Sequence, residues 1–194
     1  MRAERRNRLE EVLKNRQGNL AVVMENVHDP HNISAVMRTC DAVGIQDIYV
    51  LNSEIPRHDY FGVKSSSSAA KWLTVHQFNN TSACFAELRA KYELIYTTHL
   101  GDDSVELYDI DFTKSIALVF GNEHDGVSEE ARKLSDGNFI IPQIGMIKSL
   151  NISVACAVSI YEAYRQKKNA GHYNNLTSNY PDISQLKSLW GIEE

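Results

Sequence analysis

Two hydrophobic periods alternate along the chain. Leu20–Met24, Asp47–Leu51, Glu93–Thr98, Ser115–Phe120 and Phe139–Pro142 are short apolar runs of strand type, and Lys71–His76 predicts one more. Helical spacing covers residues 3–16, where Leu9, Val12 and Leu13 share a face, and Thr81–Lys91. Pro30 opens a helix that runs to about Val43, with Gly44 where a C-terminal cap belongs. Ser128–Leu134 starts on Ser-Glu-Glu, a good helix beginning. Leu150–Lys168 is a long helix, apolar nearly all round in its first half, so it should be covered on most sides. Residues 52–70, which include the tract Ser65–Ser68, and residues 170–181 read as loops. Ile183–Ile192 predicts a last short helix.

Strands alternating with helices give an α/β fold with a largely parallel sheet. Ligands of such folds sit just beyond the C-terminal ends of strands, and three segments there carry candidate chemistry. The first runs from Asn26 to Arg38. Arg38 lies amid Ala35, Val36, Met37 and Cys40, where a guanidinium needs an anionic partner, either a structural salt bridge or a group bound in a polar cleft. The second is Gly121-Asn-Glu-His-Asp-Gly126, a turn bracketed by glycines that lets a ligand approach the backbone. Glu123 is its polar anchor. His124 and Asp125 have no further ligands at a useful spacing, so no metal is expected. The third runs from Ile140 to Ser153, where Ser149 or Asn151 either caps the long helix or belongs to a loop wrapping a ligand. Ile144, Met146 and Ile147 suit the walls of a pocket for an adenine ring or a thioether.

Composition narrows the class. The 194 residues are 43 % hydrophobic and 23 % charged, enough for one domain with its own core. No apolar run is long enough for a membrane span, and the charged N-terminus lacks a signal peptide's apolar stretch, so a cytoplasmic location is expected. Three cysteines without CxxC spacing read as buried thiols. Net charge is −5, yet Arg2, Arg5, Arg6, Arg8, Lys14 and Arg16 cluster at the N-terminus, and Arg165, Lys167 and Lys168 end the long helix. These clusters read equally as phosphate grips or as solvated helix faces. The chain has no G-x-G-x-x-G after its first strand, no P-loop motif and no G-x-S-x-G.

Taken in order, HNISAVMRTCDAVG (residues 31–44), LVFGNEHDGVS (118–128) and IIPQIGMIKSLNISVACAVSIYEA (140–163) resemble the three motifs of the SpoU family in the SPOUT superfamily. The start, RRNRLEEVLKNRQGNLAVVMENVHDPHN, and LIYTTHL resemble the subgroup that methylates guanosine 18 of tRNA, and the likeness covers about residues 3–175. The resemblance implies an α/β fold of SPOUT type: a mostly parallel sheet with helices on both faces and a deep trefoil knot at about residues 118–165. It implies a basic N-terminal helix over residues 1–18, a methyltransferase domain over 19–168 and a short tail over 169–194. S-adenosylmethionine is the implied cofactor, held bent in the knot near Thr98, Gly121, Ile141 and Leu150. Arg38 matches the catalytic arginine and Asn32 the residue that orients it, while Glu123, Ser149 and Asn151 match polar residues around the methyl-transfer point. A homodimer and a tRNA substrate are implied too, with the long apolar helix as candidate interface. Arginine holds its proton, so Arg38 is either a base helped by an RNA phosphate or a charged stabiliser of the developing alkoxide. Rival readings are 2′-O-methylation of ribosomal RNA or of the tRNA anticodon loop, a noncatalytic RNA-binding factor of the same fold, and an unrelated nucleotide-binding protein.

Overall fold

The structure is a computed structural model that describes residues 2–58, 69–101, 103–174 and 180–192. Ser65–Ser68 and part of the expected 170–181 loop lie outside the described residues. Seven strands form one sheet: β1 (Leu20–Glu25), β2 (Asp47–Leu51), β3 (Thr74–Phe78), β4 (Leu94–Thr98), β5 (Val105–Glu106), β6 (Ile116–Phe120) and β7 (Gly137–Ile140). Their spatial order is β3-β2-β1-β6-β4-β7-β5, and every pairing is parallel. The late strand β7 thus sits in a slot between two earlier ones.

Central strands are buried on both faces, which is why they read as continuous apolar runs. Leu20, Val22 and Met24 of β1 and Ile116, Leu118 and Phe120 of β6 point to one side. There they meet α2 (Pro30–Ala42) and α5 (Ile152–Asn169) through Ile33, Val36, Met37, Cys156, Ile160 and Ala163. Ala21, Val23, Ala117 and Val119 point to the other side, against α3 (Thr81–Lys91) and α4 (Glu129–Leu134). Helices therefore cover both faces, as the α/β reading requires.

Helix ends follow local chemistry. The Asp29 side chain accepts from the His31 N–H at 2.8 Å, and Pro30 occupies the first turn of α2, where no intrahelical donor is needed. After α2 the chain turns through Gly44 at φ +85°, where a Cβ would lie 2.4 Å from the Asn15 carbonyl oxygen. Several boundaries differ from the sequence expectation, and two helices end early, at Lys14 and Leu189. A short 3₁₀ turn, Ala69–Trp72, displaces β3 toward its C-terminus, and β7 ends before Pro142. The two-residue β5 was not expected, because a strand that short carries no period.

The chain ends pack together. Leu9 and Leu13 of α1 (Ala3–Lys14) join Leu186 of α6 (Ile183–Leu189) with Trp190 and Ile192 in a satellite cluster. The Trp72 and Trp190 rings meet edge to face at 5.3 Å. Arg16 fills the space beneath them. Its side chain is fully buried, it pairs with Asp41 at 2.5 Å, and its guanidinium lies 5.2 Å from the centre of the Trp190 ring. Lys167 is buried as well and donates to the Lys114 carbonyl at 3.0 Å. Arg165 holds Glu162 through two bonds of 2.8 Å. Two of the cations grouped with the basic clusters are therefore internal braces, while Arg5, Arg6 and Arg8 stay exposed on α1.

Burial pulls the Lys167 ammonium down to about 8 from 10.5, with Asp111 opposing the shift. A lysine depressed on folding is protonated more readily in the unfolded chain, so stability should fall as pH drops from about 10.5 to about 8. Lys167→Met should flatten that slope in denaturant titrations across this window. An unchanged slope would mean that the ammonium is hydrated in the folded protein.

Candidate active site

Four loops meet beyond the C-terminal ends of β1, β6, β4 and β7. The loop after β1 begins at Asn26, a non-glycine residue in the left-handed region at φ 51°, which asparagine tolerates. Its side chain accepts from the Glu54 N–H at 3.0 Å and donates to Ser53 at 3.2 Å, pinning this loop to the one after β2. The loop then feeds α2, whose first turn carries Asn32.

The turn after β6 is tight for a reason visible at Gly121. A Cβ there would come within 2.0 Å of the Gly126 carbonyl, so only glycine lets the turn fold back on itself. The Asn122 side chain accepts from the backbone N–H groups of His124 and Asp125, both at 2.8 Å. Glu25, at the end of β1, anchors the far side of the turn. Its buried carboxylate accepts from the Ser128 N–H at 2.8 Å and from the Ser128 hydroxyl at 2.6 Å. Burial raises its pKa, and the two Ser128 bonds oppose that shift.

These supports bring three polar side chains together. Asn32 Nδ2 donates to Glu123 Oε1 in a short hydrogen bond, and Asn151 Nδ2 donates to Asn32 Oδ1 at 3.2 Å. The two contacts fix which way the Asn32 amide points. Asn151 also caps α5: its Oδ1 accepts from the Ser153 N–H at 2.9 Å and from the Ser153 hydroxyl at 2.6 Å. Asn151 is thus both cap and site residue, while Ser149 is exposed and caps nothing.

Beside this network lies a cavity of about 460 Å³. Thr98, Gly121, Ile141 and Leu150 line it, and so do Glu123, Ser149 and Asn151. Its walls also include Phe120, Phe139, Ile140, Ile152 and Ala155, and its size suits a nucleoside. Ile144, Met146 and Ile147, expected as walls, are exposed instead, at 106 %, 99 % and 65 %. The loop that carries them turns its apolar tip to the outside and gives the cavity Ile141, Gln143 and Lys148 to Leu150. Arg38 stands apart. It is exposed on α2 and, like Asn32, outside the cavity lining, and six residues at 100° each set it a third of the way round the helix from Asn32. Sequence reasoning missed Glu25 and His99, which also lines the cavity. No group of three metal-ligating side chains occurs among the described residues.

The geometry fits a bound S-adenosyl group: apolar side chains along part of the wall for the purine, a glycine turn for close backbone approach, and polar side chains beside them. Comparison with known proteins agrees. The model of the SpoU rRNA methylase family matches residues 19–161. The tRNA (guanosine(18)-2′-O)-methyltransferase of Thermus thermophilus is 42 % identical over 172 residues, which are 88 % of this chain and 87 % of that protein. The crystal structure of an Aquifex aeolicus TrmH/SpoU tRNA modifying enzyme superposes with a TM-score of 0.83 at 34 % identity, covering 98 % of both chains. The SpoU methyltransferase AviRb of Streptomyces viridochromogenes, solved in complex with AdoMet, superposes with a TM-score of 0.71 at 26 % identity over 81 % of this chain and 61 % of that one. By family model and by identity over most of its length, the chain belongs to the SpoU rRNA methylase family.

Proposed function

We propose that the chain transfers a methyl group from S-adenosylmethionine to the ribose 2′-hydroxyl of guanosine 18 in tRNA, as a cytoplasmic homodimer. The observation that carries this reading is the Asn32–Glu123–Asn151 network at one end of a nucleoside-sized cavity. Similarity to the Thermus guanosine-18 enzyme over 88 % of the chain favours tRNA over ribosomal RNA. The cofactor supplies an electrophilic methyl group on a sulfonium.

Everything else falls to this chain's residues. Thr98, Gly121, Ile141 and Leu150 would hold the cofactor, with Phe139, Ile140 and Ile141 beside its purine. Asn32, Glu123 and Asn151 orient the incoming ribose so that its oxygen lies in line with the methyl group. Such positioning lowers a barrier by about 7–11 kcal/mol when two reactants are well aligned. Arg38 stays charged and stabilises the developing alkoxide while a water molecule takes the hydroxyl's proton, since a guanidinium holds its own proton in water. Its exposed position on α2 faces arriving RNA rather than the cofactor slot. Arg5, Arg6 and Arg8 on α1 contact phosphates and set register without reading bases.

The dimer reading rests on exposed apolar side chains beside the site. Val154 and Tyr161 on α5 are 47 % and 50 % exposed, and Ile144, Met146 and Ile147 lie nearby in sequence on the preceding loop. Sedimentation at micromolar concentration should read twice the chain mass, and Val154→Glu should lower it. A monomer with full activity would refute the dimer.

The reaction is tested with labelled cofactor and a tRNA transcript that carries 2′-deoxyguanosine only at position 18. Ordinary transcript should gain one methyl group per molecule, and the deoxy transcript none. Equal labelling of both would place the methyl group elsewhere. For Arg38, Arg38→Ala should slow single-turnover transfer by orders of magnitude at unchanged cofactor affinity. Arg38→Lys should recover little if the planar fork matters and much if only charge does. Wild-type rates in folded Arg38→Ala would remove Arg38 from the reaction.

A further inference from the structure

We infer that His99 is a further cofactor-binding residue, a neutral imidazole whose Nδ1–H donates to the nucleoside half of bound S-adenosylmethionine, and that Arg132 is its positioning residue. The inference rests on the cofactor reading above. His99 follows the last residue of β4 and lines the cavity. Its main chain is held on both sides: the N–H donates to the Phe139 carbonyl at 3.2 Å, and the carbonyl accepts from the Ser104 hydroxyl at 2.8 Å. The ring is held too. Its Cδ2 lies against Gly101, where a Cβ would come within 3.2 Å. Arg132 Nη1, from α4, makes a short hydrogen bond to Nε2.

That last contact decides the chemistry of the ring. A guanidinium has five donors and no acceptor, so Nε2 must accept, and the ring proton sits on Nδ1. Nδ1 has no hydrogen-bond partner among the described residues, and it is not a buried orphan atom. A fixed, accessible donor therefore remains on a residue of the cavity wall. Among the described residues the Arg132 Nε finds no partner, and the bond to His99 is the side-chain hydrogen bond that its guanidinium makes.

Sheet order says which half of the cofactor the donor meets. Asn32 and Glu123 follow β1 and β6, whereas His99 follows β4, on the far side of β6 from β1. On that side the walls are Phe139, Ile140 and Ile141, at and just beyond the end of β7. The reacting end lies with the polar network, and the purine lies with the apolar walls. A purine nitrogen or a ribose oxygen is then the acceptor for His99 Nδ1–H.

The test is calorimetric binding of S-adenosylhomocysteine and of 5′-methylthioadenosine, which keeps the nucleoside but lacks the amino-acid end. His99→Ala should weaken both ligands by about tenfold, the scale of one lost neutral hydrogen bond with its desolvated partner. His99→Asn places an amide N–H near the position of Nδ1 and should restore most of the affinity. Arg132→Met should weaken both ligands by a smaller factor, and this loss should vanish in the His99→Asn background, where no tautomer needs fixing. A purely structural role for Arg132 would keep its penalty in both backgrounds and would overturn the positioning claim. Melting temperatures identify any variant that fails to fold, and His99→Phe, which keeps a ring but has no donor, carries the test in that case: it should lose about as much affinity as His99→Ala, and unchanged affinity overturns the proposal. Unchanged affinity in folded His99→Ala overturns the proposal, and a loss confined to S-adenosylhomocysteine overturns the nucleoside placement. If the wild-type protein binds neither ligand, the cofactor reading itself fails and the proposal falls with it.

Discussion

One side-chain amide ties the site together. Asn32 gives its N–H to Glu123 and takes an N–H from Asn151, so a single residue on α2 joins the turn after β6 to the start of α5. Those segments are 91 and 119 residues away in sequence. An amide held at both ends has one orientation, and Asn151 is held in turn by Ser153. A ribose hydroxyl placed against these groups meets a preorganised surface rather than mobile side chains.

Everything that supports the network is backbone chemistry made rigid by specific residues. Gly121 permits the fold-back of the turn, Asn122 fills it, and Glu25 clamps Ser128 behind it. Asp29 and Pro30 start α2 where Asn32 is needed, and Asn151 starts α5 while sharing its amide with the site. The central parallel strands, buried on both faces, hold these loop origins at fixed spacing. Such a sheet resists distortion because each strand is hydrogen-bonded on two sides and packed above and below.

Much of this was legible in the sequence. Continuous apolar runs gave the central strands, and Pro30 and Gly44 marked α2 to within a residue. Asn32, Glu123, Ser149 and Asn151 came from motif resemblance, and all but Asn32 line the one cavity that also holds the four expected cofactor contacts. What stayed hidden depends on distant partners. Glu25 looks like an ordinary strand end until Ser128, 103 residues on, is seen against it. His99 is a lone histidine until Arg132 points at it from α4. Charge counting misread Arg16 and Lys167, because their burial against Asp41, Trp190 and the Lys114 carbonyl has no local signal. Ile144, Met146 and Ile147 lie outside the cavity lining, a matter of the loop's path that its composition does not reveal.

If the network works as one unit, its members cannot be removed independently. The direct measurement is a double-mutant cycle on single-turnover methyl transfer to tRNA, at saturating cofactor, with Asn32→Ala, Glu123→Ala and the double variant. The account predicts that each single variant loses most of the rate and that the double variant loses little more than the worse single. Losses that multiply, with melting temperature and cofactor affinity intact, would show two independent contributions and contradict it.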